Sequence, residues 1–405
     1  MRVLFCSLGS HGFLNPTIGL ALRAQRSGHD VALVTDITSA AYVERQGIRR
    51  LPRGPGADGR SFEVQSWAYP YAVAIQVRHI EHALEVWPAD VIVGQQLTLG
   101  ALIVAERAKL PVALIGFATY LWPTGLPPRS CGYSDGRDAL VAWRHTDMMR
   151  HYNAARQLHR LRAVPDSPAH SHLLGDLFMV RSIPALEEAS ASLPDRVKLV
   201  GSCLWEPEGE VDDEIDAWLT SAKRANRSVL YVEHGRTFRQ APFWPVLREA
   251  VGSLQVGVIA SVGRMDADEG AVPAHWLVRA HVPQGRVLQV ADAVVASATS
   301  TVVLGAIRAG LPALLIPAGG EQPDLAEVCE HAGCASVLLP DHVTPESLAD
   351  GVRRTIASDA LRQRAQVLGK LFAGFDDFGR AVALVEDLVA RHRVRDRVEA
   401  QALTS

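Results

Sequence analysis

Short, unbroken apolar runs recur along the chain, and most are followed by a longer segment whose apolar residues fall at helical spacing. Residues 3–6, 31–35, 91–93 and 112–115 form such runs in the first half, and 229–233, 256–260, 294–295 and 313–316 in the second. A strand covered on both faces reads as a continuous apolar run, so these are predicted to be central strands of parallel sheets. Between them the pattern predicts helices: one beginning near Pro16 and Thr17, with Ile18, Ala21 and Leu22 on one face and Gly28 as its stop, one running to Trp87, and others over 99–109, 242–254 and 303–309. The last is closed by Gly310, Leu311 and Pro312. Strand, helix and parallel strand in repetition predict right-handed crossovers and an α/β fold.

The pattern runs twice. Residues 201–213, with Pro207, Gly209 and a run of acids, read as a linker between an amino-terminal domain over 1–200 and a second domain over 214–380. Residues 381–405 follow as a terminal helix in which Val385, Leu388 and Val389 form an apolar stripe, and from about Arg391 the polar end is expected to fray. A chain of 405 residues exceeds one typical core, which agrees with two domains.

Composition excludes several classes. With 48% hydrophobic and 21% charged residues the chain is ordinary globular protein, and a formal charge of -3 argues against a nucleic-acid partner. The five cysteines form no CxxC pair and read as reduced thiols of a cytoplasmic protein. The N-terminal apolar run is too short for a signal peptide, and no stretch approaches the roughly 18 apolar residues of a membrane helix, so no membrane partner is expected.

Candidate chemistry concentrates in 294–322. A strand, a loop of small residues (Ser297, Ala298, Thr299, Ser300, Thr301) and a helix N-terminus, in that order, build a phosphate cradle. Ligands of such βαβ units bind at the carboxyl ends of the strands, where Glu321 and Gln322 also fall. The first βαβ unit has only Gly9 and Gly12 before its helix, so no G-x-G-x-x-G supports a dinucleotide. Trp67, Tyr69 and Tyr71 on a loop suit an apolar acceptor wall or core packing for the next helix, and both readings stay open. His145, His151, His159, His170 and His172 lack a ligand spacing such as H-E-x-x-H and read as a solvated helical face. No Asp-x-Asp follows a strand, so metal dependence is not indicated.

The stretch from Pro283 to Gly333 resembles the nucleotide-sugar signature of GT-B glycosyltransferases, the group that decorates plant and bacterial natural products. Pro283, Gln284, the run from Ala306 to Pro312, Pro317, Gln322 and Gly333 fall in step with the family pattern. At the family's His-Gly-Gly-x-Gly-Thr the chain has Ser297, Ala298, Thr299, Ser300, Thr301 and Val302, so the phosphate-binding histidine is absent. The resemblance covers almost the whole chain and implies a GT-B fold, two Rossmann-like domains facing an interdomain cleft, with the terminal helix returning to the first domain.

It also implies roles. Donor binding falls to Gly235, Arg236, Thr237, His281, Val282, Gln284, the 297–301 loop, Glu321 and Gln322, with His281 stacking on the base and Arg236 gripping phosphate. The family's catalytic His and Asp positions are occupied here by Phe13 and Gln95, which makes His11 the candidate base with Gln95 beside it. Phe13, Gln96, Trp67, Tyr69 and Tyr71 are the expected acceptor wall. The implied activity is inverting transfer of a sugar from a nucleoside diphosphate sugar, a co-substrate, to a small apolar natural product, with no cofactor or metal. Loss of the dyad motivates an alternative, a GT-B-derived protein that binds or assists without sugar transfer. A homodimer is left open.

Overall fold

The structure, a computed structural model, describes residues 1–54, 60–124, 137–187, 192–207, 212–234, 243–252, 254, 256–262, 272–273 and 275–404. The chain divides into two compact units, Met1–Ser182 with Glu188–Trp205 and Phe375–Ser405, and Ile183–Glu187 with Glu206–Gly374.

The first unit carries the strands β1 (Arg2–Cys6), β2 (Asp30–Val34), β3 (Arg49–Arg50), β4 (Val91–Gln95), β5 (Val112–Ile115), β6 (Leu177–Val180) and β7 (Val197–Leu199). They form one parallel sheet in the order β3-β2-β1-β4-β5-β6-β7. Its helices are α1 (His11–Arg26), α2 (Ala40–Arg45), α3 (Pro70–Val86), α4 (Leu99–Ala108) and α5 (Arg137–Leu158). One apolar cluster on each face buries the continuous runs read from the sequence, Leu4 and Ile92 on one side and Phe5 and Val93 on the other.

The second unit carries β8 (Ser228–Glu233), β9 (Val256–Ser261), β10 (Trp276–Arg279), β11 (Ala293–Ala296), β12 (Ala313–Leu315) and β13 (Ala335–Val337), again parallel, in the order β10-β9-β8-β11-β12-β13. Its helices are α6 (Asp213–Arg224), α7 (Phe243–Gly252), α8 (Gln284–Leu288), α9 (Ser300–Arg308), α10 (Gln322–His331), α11 (Pro345–Ala357) and α12 (Asp359–Ala373). Both sheets are Rossmann-like, and each reverses its winding once, between β1 and β4 and between β8 and β11. In sheets of this kind ligands settle outside the carboxyl ends of the strands at that reversal. There Cys6 lies opposite Gly94, and Glu233 opposite Ala296.

Helix ends follow backbone chemistry. The carbonyls of Ala24 and Ala306 accept from the amides of His29 and Leu311, at 3.1 and 2.9 Å, five residues on. Gly28 (φ 83°) and Gly310 (φ 69°) supply the left-handed turn that this closure requires. The stops expected at these glycines are therefore the stops observed.

Three expectations need correction. Helix α1 starts at His11, and Pro16 lies inside it. Proline removes the bond to the Gly12 carbonyl, but so near the N-terminus the loss is one bond, and Thr17 Oγ1 donates to the Phe13 carbonyl at 3.0 Å. The chain end does not fray at Arg391: α13 (Asp377–Thr404) continues to Thr404. Ion pairs one turn apart, Arg391 with Asp387 and His392 with Asp396, support it. Its apolar stripe of Val382, Val385, Leu388 and Val389 packs with α1 residues in the first unit's core. Finally, residues 201–203 are buried, not linker-like: Ser202 Oγ and the Cys203 amide both donate to the Asp377 carboxylate.

Candidate functional site

In the second unit, β11 ends at Ala296 and the chain turns through Ser297, Ala298 and Thr299 into α9. Ala298 is fully buried and left-handed, φ 62°. For a residue with a Cβ that conformation costs roughly 1–2 kcal/mol. The N-cap Thr299 makes no side-chain capping bond, and the first turn of α9 holds no acid. Neither the N-cap residue nor the first turn of α9 itself supplies a carboxylate or a side-chain cap at the point where the winding reverses. Ser297 and Ser300 are buried beside it, and Thr301 Oγ1 is buried with no hydrogen-bond partner among the described residues.

On the adjoining strand, the Glu233 carbonyl accepts from the Ser297 amide at 3.3 Å. His234 follows, buried and stacked on Phe243 with ring centroids 4.0 Å apart and planes at 14°. Burial pushes its pKa down from 6.5 to about 4, so its imidazole is neutral. Gly235, Arg236 and Thr237 lie outside the described residues.

The expected donor residues are only partly directed outward. His281 is exposed and Val282 buried. Gln284 is buried and its Nε2 donates to the Thr301 carbonyl at 3.1 Å, so this side chain braces α8 against α9 and does not face a ligand. Gly305 makes the brace fit, since a Cβ there would lie 2.0 Å from Gln284 Nε2. The Glu206 carboxylate accepts from the Gln284 and Gly285 amides at 3.2 and 2.9 Å and closes the start of α8. Gln322 is buried too, and its Oε1 accepts from the Ala318 and Gly319 amides at 2.8 and 3.3 Å. Its carbonyl shapes the 317–320 loop, and its amide nitrogen is the group that can donate to a hydroxyl. Glu321 is half-buried at the start of α10.

In the first unit, His11 is the first residue of α1 and is exposed, its ring centroid 4.6 Å from that of Tyr42. Tyr42 Oη donates to Asn15 Oδ1 at 2.8 Å, which fixes the ring beneath the histidine. Gln95 is buried and accepts from the Leu97 amide at 2.8 Å, which closes its own turn. Gln96 Oε1 accepts from the Phe117 amide at 3.4 Å, and Nε2 is buried without a partner among the described residues. Phe13 packs edge-on to Phe117, centroids 5.8 Å apart.

The aromatic segment divides. Trp67 packs on the core, whereas Tyr69 and Tyr71 are 52% and 60% exposed and stack at 5.9 Å with planes 10° apart. Tyr71 sits in the first turn of α3, not on a loop, because Pro70 starts the helix.

The histidine-rich segment is not wholly a solvated face. His145 is buried, with Nδ1 2.8 Å from Asp166 and Nε2 2.9 Å from Ser171 Oγ. Burial, outweighing Asp166, lowers its pKa. These are the contacts of a Ser-His-Asp relay, but Ser171 is fully buried and its hydroxyl accepts from the Leu173 amide at 3.2 Å, so the relay ties α5 to the 166–173 segment. Among the described residues no group of three or more His, Cys, Asp or Glu side chains is placed to hold a metal, and no helix is long and apolar enough to cross a membrane. Cys6, Cys203, Cys329 and Cys334 are buried free thiols.

Sequence reasoning missed His234 and Tyr42. The signal for His234 was available, since it directly follows an apolar run at a strand's carboxyl end. Tyr42 gave none, because its place over His11 depends on how α2 packs.

No family model matches the chain. A relative at 25% identity is 4'-demethylrebeccamycin synthase of Lentzea aerocolonigenes, over 96% of this chain and 99% of that protein. Another at 22% is an NDP-glycosyltransferase of Bacillus subtilis, over 97% and 98%. Among solved structures, the glycotransferase of kitacinnamycin is similar with a TM-score of 0.76 at 21% identity, over 96% of this chain and 98% of that one. Several of the relatives and solved structures carry the name glycosyltransferase, and this chain has the GT-B fold of two Rossmann-like units.

Proposed function

We propose that this chain is a glycosyltransferase that moves a sugar from a nucleoside diphosphate sugar to a small apolar acceptor. The observation that carries the reading is the start of α9, where a left-handed Ala298 turns a helix without a side-chain cap into the reversal point of the second sheet. An anion suits that place: the first amides of α9 donate, the helix dipole favours negative charge, and the hydroxyls at 299–301 add donors. The names of the relatives support a nucleotide-linked sugar as the anion.

In this reading the acceptor hydroxyl attacks the anomeric carbon, the bond from that carbon to the diphosphate oxygen breaks, and configuration inverts. The nucleoside diphosphate leaves with the charge that the α9 amides stabilise. His11 takes the hydroxyl proton; lying at an exposed helix start in the acceptor-side unit, it is open to a ligand. Tyr69 and Tyr71 offer a flat apolar surface to the acceptor. The second reading, a binding protein without transfer, draws on Phe13 and Gln95 at the dyad positions and on Gln95 being spent on its own turn.

Calorimetry on the purified chain with a panel of nucleoside diphosphates and their sugars separates the readings. The transferase reading expects one sugar nucleotide to bind in the micromolar range and tighter than its nucleoside diphosphate. Binding of none would overturn it.

A further inference from the structure

When His11 takes the hydroxyl proton, the O–H bond breaks, an N–H bond forms and the imidazole becomes a cation. Gln95 and Gln96, at and just after the end of β4, are neutral amides and offer that cation no opposite charge. What the structure places against His11 is a ring. Tyr42 of α2 lies with its centroid 4.6 Å from that of the imidazole and the planes tilted by 33°. Two rings side by side in one plane cannot come so close, so their faces are turned toward each other.

The ring of Tyr42 is held from two sides. His11 and Asn15 are one turn apart on α1 and share a face. Tyr42 Oη donates to Asn15 Oδ1 at 2.8 Å, so the ring lies along that face beneath the histidine. Ahead of α2, Ser39 Oγ donates to the Gly9 carbonyl at 2.9 Å, and the glycine leaves room for this approach, since a Cβ there would meet Asp36 Cβ at 2.7 Å. These ties fix the start of α2 to the start of α1. An aromatic face carries partial negative charge and attracts a cation within about 6 Å of its centroid. The contact therefore strengthens at the step in which His11 becomes charged, and only interactions that strengthen on the way to the transition state raise the rate.

We infer that Tyr42 is a positioning residue for His11: its ring fixes the imidazole at the start of α1, and its face stabilises the imidazolium formed as the acceptor hydroxyl gives up its proton. The inference rests on His11 as the base in the reading above, and it assigns Tyr42 no contact with either substrate.

The test is steady-state kinetics on the full chain with two aromatic hydroxyl acceptors, a naphthol, which holds its proton at neutral pH, and pentafluorophenol, which has already lost it. The donor is the sugar nucleotide that the wild type binds best among UDP-glucose, TDP-glucose and GDP-glucose. Tyr42→Leu and Tyr42→Met keep an apolar side chain and remove the face. Each is expected to lower kcat with the naphthol about 2- to 30-fold, the range of one cation–π contact, with donor affinity and kcat with pentafluorophenol unchanged. Tyr42→Phe keeps the face and is expected to retain most of the rate, its smaller loss measuring the tether to Asn15. In a His11→Ala background Tyr42→Leu is expected to change nothing further. Equal losses with the two acceptors, a loss in Tyr42→Phe as large as in Tyr42→Leu, or an undiminished rate in the Tyr42 variants while His11→Ala loses rate, overturns the role of Tyr42 alone. An undiminished rate in His11→Ala overturns the base reading beneath it. Transfer to neither acceptor by the wild type overturns the transfer reading for aromatic hydroxyls, and this inference with it.

Discussion

The two units place different chemistry on the same scaffold. At the reversal point of the first sheet the polar side chains are large and mostly spent: Gln95 closes its own turn and Gln96 receives the Phe117 amide. What faces outward in that unit is an imidazole and aromatic carbon, His11 over Tyr42 and the stacked Tyr69 and Tyr71. At the reversal point of the second sheet the side chains are small, and the chain offers backbone amides at the start of α9, with a neutral histidine at the end of the adjoining strand and stacked on α7. A site built from amides and small residues suits an anion of fixed shape. A site built from rings suits an apolar molecule, and it needs one group that accepts a proton.

That contrast breaks first at His11. If the first unit supplies the proton acceptor, His11→Ala should lower kcat by about 10²–10⁴-fold, the usual contribution of a positioned base, with sugar-nucleotide affinity unchanged. Steady-state kinetics with calorimetry of the donor checks both halves. Undiminished turnover would leave the first unit as an acceptor surface only.

Each unit also has a glycine near its sheet's reversal point that lets two elements approach. A Cβ at Gly9 would meet Asp36 Cβ at 2.7 Å, and one at Gly305 would meet Gln284 Nε2 at 2.0 Å and Leu288 Cδ1 at 2.9 Å. Gly305→Ala is expected to cost about 1–3 kcal/mol and to weaken donor binding, because Gln284 must leave the Thr301 carbonyl beside the α9 start. Gly9→Ala is expected to lower stability and kcat but not donor affinity. Urea titrations with donor calorimetry decide this; loss of donor affinity in Gly9→Ala would mean the division of labour is wrong.

These residues mark where the sequence could and could not be read. The strands were legible because burial on both faces leaves continuous apolar runs such as 229–233 and 313–316, and the helix stops because Gly28 and Gly310 have the only side chain that takes φ near +70° to +80° without strain. The order of strand, small-residue turn and helix from Ala293 to Arg308 was legible for the same local reason. The direction of Gln284 was not, since a glutamine beside a strand end turns inward or outward according to whether position 305 leaves room for it. The start of α1 was hidden by Pro16, which usually marks a beginning but here lies in the helix with Thr17 bonded back across it. The burial of His145 depended on Asp166 and Ser171, about 20 residues or more away in the chain.

The second unit's histidine makes a smaller, pH-dependent difference. Its pKa lies near 4 in the folded chain and at 6.5 when unfolded, so the unfolded state binds the extra proton in between. Stability is then full above about pH 6.5 and falls as the pH drops toward 4, by roughly 2 kcal/mol between pH 7 and 5 for this group. His145, His159, His172 and His275 are lowered in the same direction, so only the difference between wild type and His234→Phe isolates the effect. Urea unfolding at the two pH values is expected to show a shallower loss in the variant, and equal losses would mean His234 is not held neutral by burial.

The smallest effect expected is at the exposed tyrosines of the first unit. Tyr69 and Tyr71 bury little against their own chain, so removing either ring should leave the melting temperature unchanged. What each ring can give is contact with an acceptor, about 0.5–1.5 kcal/mol for one aromatic pair, or a rise of roughly 2- to 12-fold in acceptor KM. The stack itself matters more than either ring if the acceptor is flat, because two rings whose planes differ by 10° present one orientation to a planar molecule. Tyr69→Ala and Tyr71→Ala should then each raise KM for a planar aromatic acceptor with kcat and donor affinity unchanged, and the double variant should lose no more than the sum. A fall in stability instead would make the pair structural, and the first unit's outward face would then reduce to His11 and the Phe13–Phe117 contact.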